Sequence, residues 1–276
     1  MTYREALEKG REYLEKQQIA DAQTDAWYLM EFCCHMTRAR YLMKMPDPMP
    51  EAEYARYQSL LLLRGTHVPL QHITGEQEFM GLSFRVNDQV LIPRQDTEIL
   101  VEQALQEAKS GMRVLDLCTG SGCIIISLVK HCPGLLGTAS DISPEALQTA
   151  RENARRLEAE VTFIESDLFE RIHGSFDLIV SNPPYIPTGT IDRLMAEVRF
   201  HDPRLALDGR EDGLYFYRKI IKDSDLHLKQ GGWLMFEIGS DQAEAVSGLM
   251  RQAQFTRVRV IRDLAGLDRV VIGRRS

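Results

Sequence analysis

Four short stretches carry residue types suited to chemistry, and each falls where an apolar run breaks. Residues 114–124, VLDLCTGSGCI, end an apolar run in a loop holding Gly120 and Gly122. Glycine permits positive φ and close approach of a ligand to the backbone, as a cofactor lying across a strand-to-helix turn requires. Nineteen residues after Gly122, the segment SDIS carries Asp141, where an acid can accept hydrogen bonds from both hydroxyls of a ribose. ESDLF brings Asp167, a natural acceptor for an adenine amino group, with Leu168 or Phe169 to pack on the ring. FDLIVSNPPYI, residues 176–186, stops an apolar run at Asn182, Pro183, Pro184 and Tyr185.

The glycine loop is not a phosphate loop, since no lysine follows it, and Cys123 breaks the GxGxxG pattern of a dinucleotide site. Loop and acid together indicate an adenosine-containing cofactor. Two prolines in a row remove two backbone donors and hold Asn182 and Pro183 extended, so that loop is stiff. An amide or aromatic amine is a poor nucleophile because its lone pair is delocalised. If the Asn182 side-chain carbonyl and the Pro183 backbone carbonyl each accept one hydrogen of a substrate NH2, its remaining face is directed at an electrophile. Tyr185 packs against the flat group and excludes water. The electrophile that best suits an adenosine pocket and a neutral planar nitrogen is the methyl group of S-adenosylmethionine. Each feature also has a plainer reading: a strand terminator at the prolines, a helix cap at Asp141 before Pro144, and a turn cap at Asp167. The motif alone leaves open whether the NH2 is that of an amide or of a base.

The elements that must position these residues alternate. From Asp96 onward, apolar strand patterns and amphipathic helix patterns follow one another, which implies a mostly parallel sheet with helices on both faces. Ligands in such sheets bind beyond the carboxyl ends of the strands. Residues 1–66 read as a small helical domain for recognising a partner, with a capping box at Thr2 and Glu5 and helix starts at Thr24, Thr37 and Pro50. Residues 67–92 read as a linker of short strands or a hairpin around Gly81 and around Asn87 and Asp88, and residues 93–276 as the catalytic domain. Arg94 and Glu98 fall at the start of its first helix, Asp202, Arg204 and Asp208 in a polar loop, and Glu237 at a strand end without an assigned catalytic role.

A formal charge of -7 argues against broad electrostatic binding to nucleic acid. MTYREALEKG has no signal-sequence character, and no apolar run approaches the roughly 20 residues that span a bilayer, so a cytoplasmic monomer without membrane contact is expected. Five cysteines, none in a CxxC pair, point to reduced thiols and to no bound metal.

TGSG, SDIS and SNPPYI, with LIPRQDTEILVE upstream and DPRLALDGREDGLYFYRKII and FEIGSDQ downstream, resemble the glutamine methyltransferases that modify peptide-chain release factors. The resemblance covers nearly the whole chain. It implies a Rossmann-like, seven-stranded S-adenosylmethionine-dependent methyltransferase sheet, and methyl transfer to the glutamine amide of the release factors' GGQ motif. Ribosomal-protein glutamine methyltransferases and adenine methyltransferases share NPPY. Carried onto this chain, Cys118, Thr119, Gly120, Ser121 and Gly122 contact the cofactor together with Asp141, Asp167, Leu168 and Asn182. Asn182, Pro183, Pro184 and Tyr185 hold the glutamine amide. Three positions depart from the family pattern: Cys118 where glycine is usual, Leu168 where some relatives carry tryptophan, and Gln95 in place of a common proline.

Overall fold

Apolar side chains alternate along the central strands so that both faces are buried, and this produces layers of helix, sheet and helix. A computed structural model describes residues 1–276 and divides into two compact units, residues 1–76 with 195–201, and residues 77–194 with 202–276.

The first unit is helical: α1 (Tyr3–Lys16), α2 (Ala22–Cys34), α3 (Arg38–Lys44), α4 (Glu51–Gly65) and α5 (Leu70–Thr74). The capping box forms as expected at Thr2 and Glu5, and Thr37 caps α3. Thr24 does not cap α2, which begins at Ala22; Ala22 and Ala26, one turn apart, are both buried and draw the first turn into the core. Tyr57, fully buried, donates its hydroxyl to the Ala26 carbonyl at 3.0 Å. Buried Arg64 bonds Asp25 at 2.6 Å, Glu197 at 2.6 Å and the Val68 carbonyl at 3.1 Å, which ties the later segment 195–201 into this unit. Desolvation raises the Asp25 carboxyl pKa against the pull of Arg64.

The second unit begins with a hairpin, β1 (Glu76–Phe79) and β2 (Leu82–Arg85). Its turn residues Met80 and Gly81 have φ of 51° and 70°, a left-handed pair that matches strand twist. The chain at Asn87 and Asp88 is a loop, with no strand after it. Then follow α6 (Gln95–Glu107), β3 (Arg113–Leu117), α7 (Cys123–His131), β4 (Leu136–Asp141), α8 (Pro144–Arg156), β5 (Val161–Glu165) and β6 (Phe176–Ser181). After a 3-10 turn (Thr188–Arg193) the chain forms α9 (Ala196–His201), which belongs to the first unit, and then α10 (Arg204–Leu207), α11 (Tyr215–His227), β7 (Leu228–Glu237), α12 (Ala243–Gln252), β8 (Thr256–Arg262) and β9 (Asp268–Arg274) of the second.

The main sheet has seven strands in the order β5-β4-β3-β6-β7-β9-β8, parallel except for the last two pairings. Val114, Leu178, Val180 and Met235 enter one core with α6 and α7, while Leu115, Ile179, Leu234 and Phe236 enter the other with α11 and α12. The strand order reverses between β3 and β6, the position where sheets of this kind open a crevice for ligands.

Asn153, fully buried on α8, joins three elements of this unit. Its Oδ1 accepts from the Arg85 amide at 2.7 Å, and its Nδ2 donates to the Arg85 and Ser121 carbonyls at 3.0 and 2.9 Å. Asn153→Ala leaves these backbone groups without partners and is expected to lower stability by about 2–4 kcal/mol, read from the urea midpoint.

Candidate active site

Strand register brings the chemically able residues to one edge. Leu117 pairs with Ser140 on one side and Ser181 on the other, and Ser181 with Phe236. One residue further, Cys118, Asp141, Asn182 and Glu237 therefore stand at the carboxyl ends of four adjacent parallel strands. Ser181 fixes the level by donating its hydroxyl to the Leu117 carbonyl at 2.7 Å.

Beyond that edge lies a cavity of about 510 Å3, within the range for small-molecule sites. Cys118, Thr119, Gly120, Ser121, Asp141, Asp167, Leu168, Asn182 and Pro184 all line it. Gly120 has φ of 54°, and a Cβ there would meet nothing within 4 Å, so its backbone faces open space. The Asp141 carboxylate accepts the Gly120 amide at 2.9 Å and the Ser143 amide at 3.0 Å. Burial raises its pKa, against backbone hydrogen bonds that lower it. The Ser121 hydroxyl is buried without a hydrogen-bond partner, a polar group left for a ligand. An acid, a bare glycine backbone and an orphaned hydroxyl on a cavity of this size suit a nucleoside-bearing cofactor.

Gly122, Pro183 and Tyr185 are not on this cavity's wall. Gly122 caps α7, where a Cβ would meet Ile126 at 2.9 Å and Ala150 at 3.1 Å, so its work is packing. Tyr185 lines a second cavity of about 400 Å3 with Asp212, Asp241 and Arg269. Burial and the Glu237 charge push its phenol pKa up, so at neutral pH it is uncharged. Phe169 stacks on His227 with centroids 4.6 Å apart, leaving Leu168 as the apolar contact on the cavity.

Cys118 takes the strained option, with φ of 59° where glycine would be at ease. Leu168 does the same at 50°, held by Ser166, whose hydroxyl donates to the Leu168 carbonyl and accepts from the Arg171 amide, both at 2.9 Å. Burial and the charges of Asp141 and Asp116 push the Cys118 thiol pKa up, away from reactivity. Gln95 occupies the first position of α6. Glu98 accepts the Met80 amide at 2.6 Å, and Arg94, which lines the large cavity, pairs with buried Asp202 at 2.8 Å.

Several supporting residues escaped the sequence reading. Gln242 donates to the Tyr185 carbonyl at 3.0 Å while its own carbonyl accepts the Gly239 amide at 3.0 Å. Ile186 donates to the Leu207 carbonyl at 3.0 Å, and Gly209 donates to the Ile186 carbonyl at 2.8 Å. A Cβ at Gly209 would lie 2.7 Å from the Tyr185 backbone, and one at Gly213 only 2.3 Å from the Tyr185 carbonyl oxygen. In DGREDG, residues 208–213, the two glycines are the signal, because each admits the Tyr185 backbone where a side chain would clash. Asp116 was likewise unflagged: fully buried beneath the glycine loop, it accepts the Thr119 hydroxyl at 2.6 Å, and burial raises its pKa to about 7.

Two outcomes follow from these contacts. Gly213, with φ of 74°, has neither the backbone freedom nor the room for a side chain. Gly213→Ala is expected to cost about 2 kcal/mol or more and to displace Tyr185, visible as a lowered melting temperature and a changed tyrosine environment in near-UV circular dichroism. Asp116 binds its proton more tightly folded than unfolded, so its stabilising share is complete below its unfolded pKa near 3.8 and is lost as pH rises through about 7. Asp116→Asn keeps an acceptor for Thr119; it should stabilise by roughly 1–3 kcal/mol at pH 8 and change little at pH 4, by urea denaturation at both values.

The family model for the PrmC N-terminal domain matches residues 5–75, and that for the methyltransferase small domain matches residues 94–210. A methyltransferase from Pyrococcus furiosus has the same fold, with a TM-score of 0.55 at 17% identity over 80% of this chain and 99% of its own. The release factor glutamine methyltransferase of Geobacter sulfurreducens is 42% identical over 99% of this chain and 96% of its own length. That of Koribacter versatilis is 41% identical over 100% of this chain and 99% of its own. With identity at that level running through both the helical unit and the sheet, the chain belongs to the release factor glutamine methyltransferase family.

Proposed function

We propose that this protein transfers a methyl group from S-adenosylmethionine to the side-chain amide nitrogen of the GGQ glutamine in peptide-chain release factors. The observation that carries the reading is the placement of Asn182 on the wall of the large cavity, at the sheet edge shared with Asp141. When bound, S-adenosylmethionine supplies an electrophilic methyl group on a sulfonium.

The chain's own residues do the rest. With the cofactor bound, Asp141 would hold the ribose hydroxyls, the backbone from Cys118 to Ser121 would contact it, and Asp167 and Leu168 would receive the adenine, while Gly122 keeps that turn tight. The Asn182 side-chain carbonyl and the Pro183 backbone carbonyl accept the two hydrogens of the glutamine NH2, which aims the nitrogen's lone pair. Pro184 keeps the loop rigid, and Tyr185, uncharged, walls off the planar amide from water. No base is needed before transfer, because the nitrogen sheds its proton once it carries positive charge.

The helical N-terminal residues, 1–66 in the sequence reading, serve to select the protein substrate. This region falls within residues 5–75, where the PrmC N-terminal domain model matches. The net charge of -7 favours a protein substrate over nucleic acid, and no helix is long and apolar enough to cross a membrane. The enzyme works in the cytoplasm as a monomer.

The test is incubation with labelled S-adenosylmethionine and, in separate reactions, a release factor, ribosomal proteins and DNA, with the modified residue mapped by mass spectrometry. Label on the GGQ glutamine is expected; label on DNA or ribosomal protein alone would overturn the reading. Asn182→Ala should lower kcat by about 100-fold or more while leaving cofactor Kd within about threefold. Asp141→Ala should instead weaken cofactor binding by roughly tenfold or more.

A further inference from the structure

Glu237 is a carboxylate that the reaction as described leaves idle. It is buried, 2% exposed, at the carboxyl end of β7, and the register Ser181 to Phe236 sets it beside Asn182. Its Oε2 has no hydrogen-bond partner. The groups that favour its charged form are, in order, the Thr97 hydroxyl, the Arg269 guanidinium and the Asn182 amide. Thr97, buried on the first turn of α6, accepts a hydrogen bond from Asn182 Nδ2 at 3.4 Å. A hydroxyl whose oxygen receives the Asn182 amide has its own hydrogen free to give, and the Glu237 carboxylate, which neighbours both side chains, is the acceptor available to it.

We propose that Glu237 is a positioning residue for Asn182: its carboxylate takes the Thr97 hydroxyl and one hydrogen of Asn182 Nδ2, the Thr97 oxygen takes the other, and Asn182 Oδ1 is thereby turned to accept the substrate NH2. The inference rests on the reading of Asn182 as the acceptor for the glutamine amide. Which end of an asparagine amide faces a site is set by its hydrogen-bond network, and here the network ends on an acid. A flipped Asn182 would present its own NH2 to the substrate NH2, donor against donor. Ionised, Glu237 can only accept, which fixes the productive direction of the relay. Protonated, it can donate to Thr97, whose hydroxyl can then donate toward Asn182 and stabilise the flipped amide.

Burial raises the Glu237 pKa to about 7, so the relay changes direction as pH falls through neutrality. The ionisable groups around it are Arg269 on β9, which favours the charge, Asp96 on α6, which opposes it, and the hydroxyls of Tyr185 and Tyr217, with the Cys123 thiol on α7. Arg269 is held in place by Asp263 at 3.0 Å and Asp96 at 3.1 Å. Both tyrosines and the thiol have raised pKa values and stay neutral across this range, which leaves Glu237 as the group that switches.

Two measurements test this. In 15N-labelled full-length protein, the Asn182 side-chain NH2 signals, assigned by their loss in Asn182→Asp, are followed from pH 5.5 to 8.5 in wild type and in Glu237→Gln. A shift with a single midpoint in wild type, absent in Glu237→Gln, is expected. Signals that do not move in wild type, or that keep their midpoint in the variant, would overturn the relay without any reference to catalysis. Methylation kinetics on a release factor over the same range should show kcat rising with pH in wild type and a flattened profile in Glu237→Gln. Thr97→Val should lose about tenfold in kcat with cofactor Kd unchanged, and Thr97→Ser should restore it. Wild-type rates in Thr97→Val with an unchanged pH profile would count against the relay. Amide signals that follow Glu237 in a wild-type protein that methylates no release factor would sink the proposed activity and leave the relay standing.

Discussion

The site depends on one parallel pairing, β3 beside β6 at the point where the strand order reverses. Leu117 faces Ser181 across it, and the Ser181 hydroxyl closes onto the Leu117 carbonyl at 2.7 Å. A slip of one residue would exchange the faces of Leu178, Ile179 and Val180, which feed two separate cores, so the register is fixed by burial on both sides. With that register set, the glycine loop and Asn182 emerge at the same height. The pairing of Leu117 with Ser140 brings Asp141 level with them, and the Thr119 amide bonds the Ser140 carbonyl at 3.0 Å to start the loop.

The edge so made is not at its energetic minimum. Cys118 and Leu168 hold positive φ, and Asp116 and Glu237 are acids in dry surroundings that raise both pKa values to about 7. Each of these is costly alone, and together they are tolerated only because two packed cores and the Asn153 and Ser166 hydrogen bonds over-determine the loops. Positive φ alone does not mark this edge, since Glu158 and Gln254 adopt it before β5 and β8; its combination with the buried acids does. It is the physical signature of a site.

Much of this was legible in the residue order. Alternation of strand and helix patterns yields the sheet, and the breaks in apolar runs at Cys118, Asp141, Asp167 and Asn182 mark its working edge, because local burial and turn chemistry are written in neighbouring residues. The parts that were not legible depend on partners distant in the chain. Thr24 looked like a cap but was overruled by burial of Ala22 and Ala26. The return of residues 195–201 to the helical unit rests on Arg64 meeting Glu197, a pairing 133 residues apart. Glu237 showed only as an acid at a strand end, since its neighbour Thr97 lies 140 residues earlier and on another element. Tyr185 adds a contact that the residue order does not announce, since it lines a neighbouring cavity beside Asp212 and Asp241.

The stiffness of the NPPY segment also has two sources, of which the prolines are only the first. Beyond Pro184 the backbone is held at three further points: Gln242 on the Tyr185 carbonyl, and Leu207 and Gly209 on either side of Ile186. These partners come from the end of α10, from Gly209 just after it and from the residue that caps α12, so the loop is clamped by chain that follows it in the sequence. Glycine at positions 209 and 213 lets that clamp approach to a distance no side chain would allow. A loop with its torsions limited by ring closure and its Tyr185 and Ile186 carbonyls already bonded has little freedom left to lose when a ligand arrives. Binding energy is then available to orient the ligand's NH2 rather than to order the protein, which is the advantage that a weak nucleophile most needs.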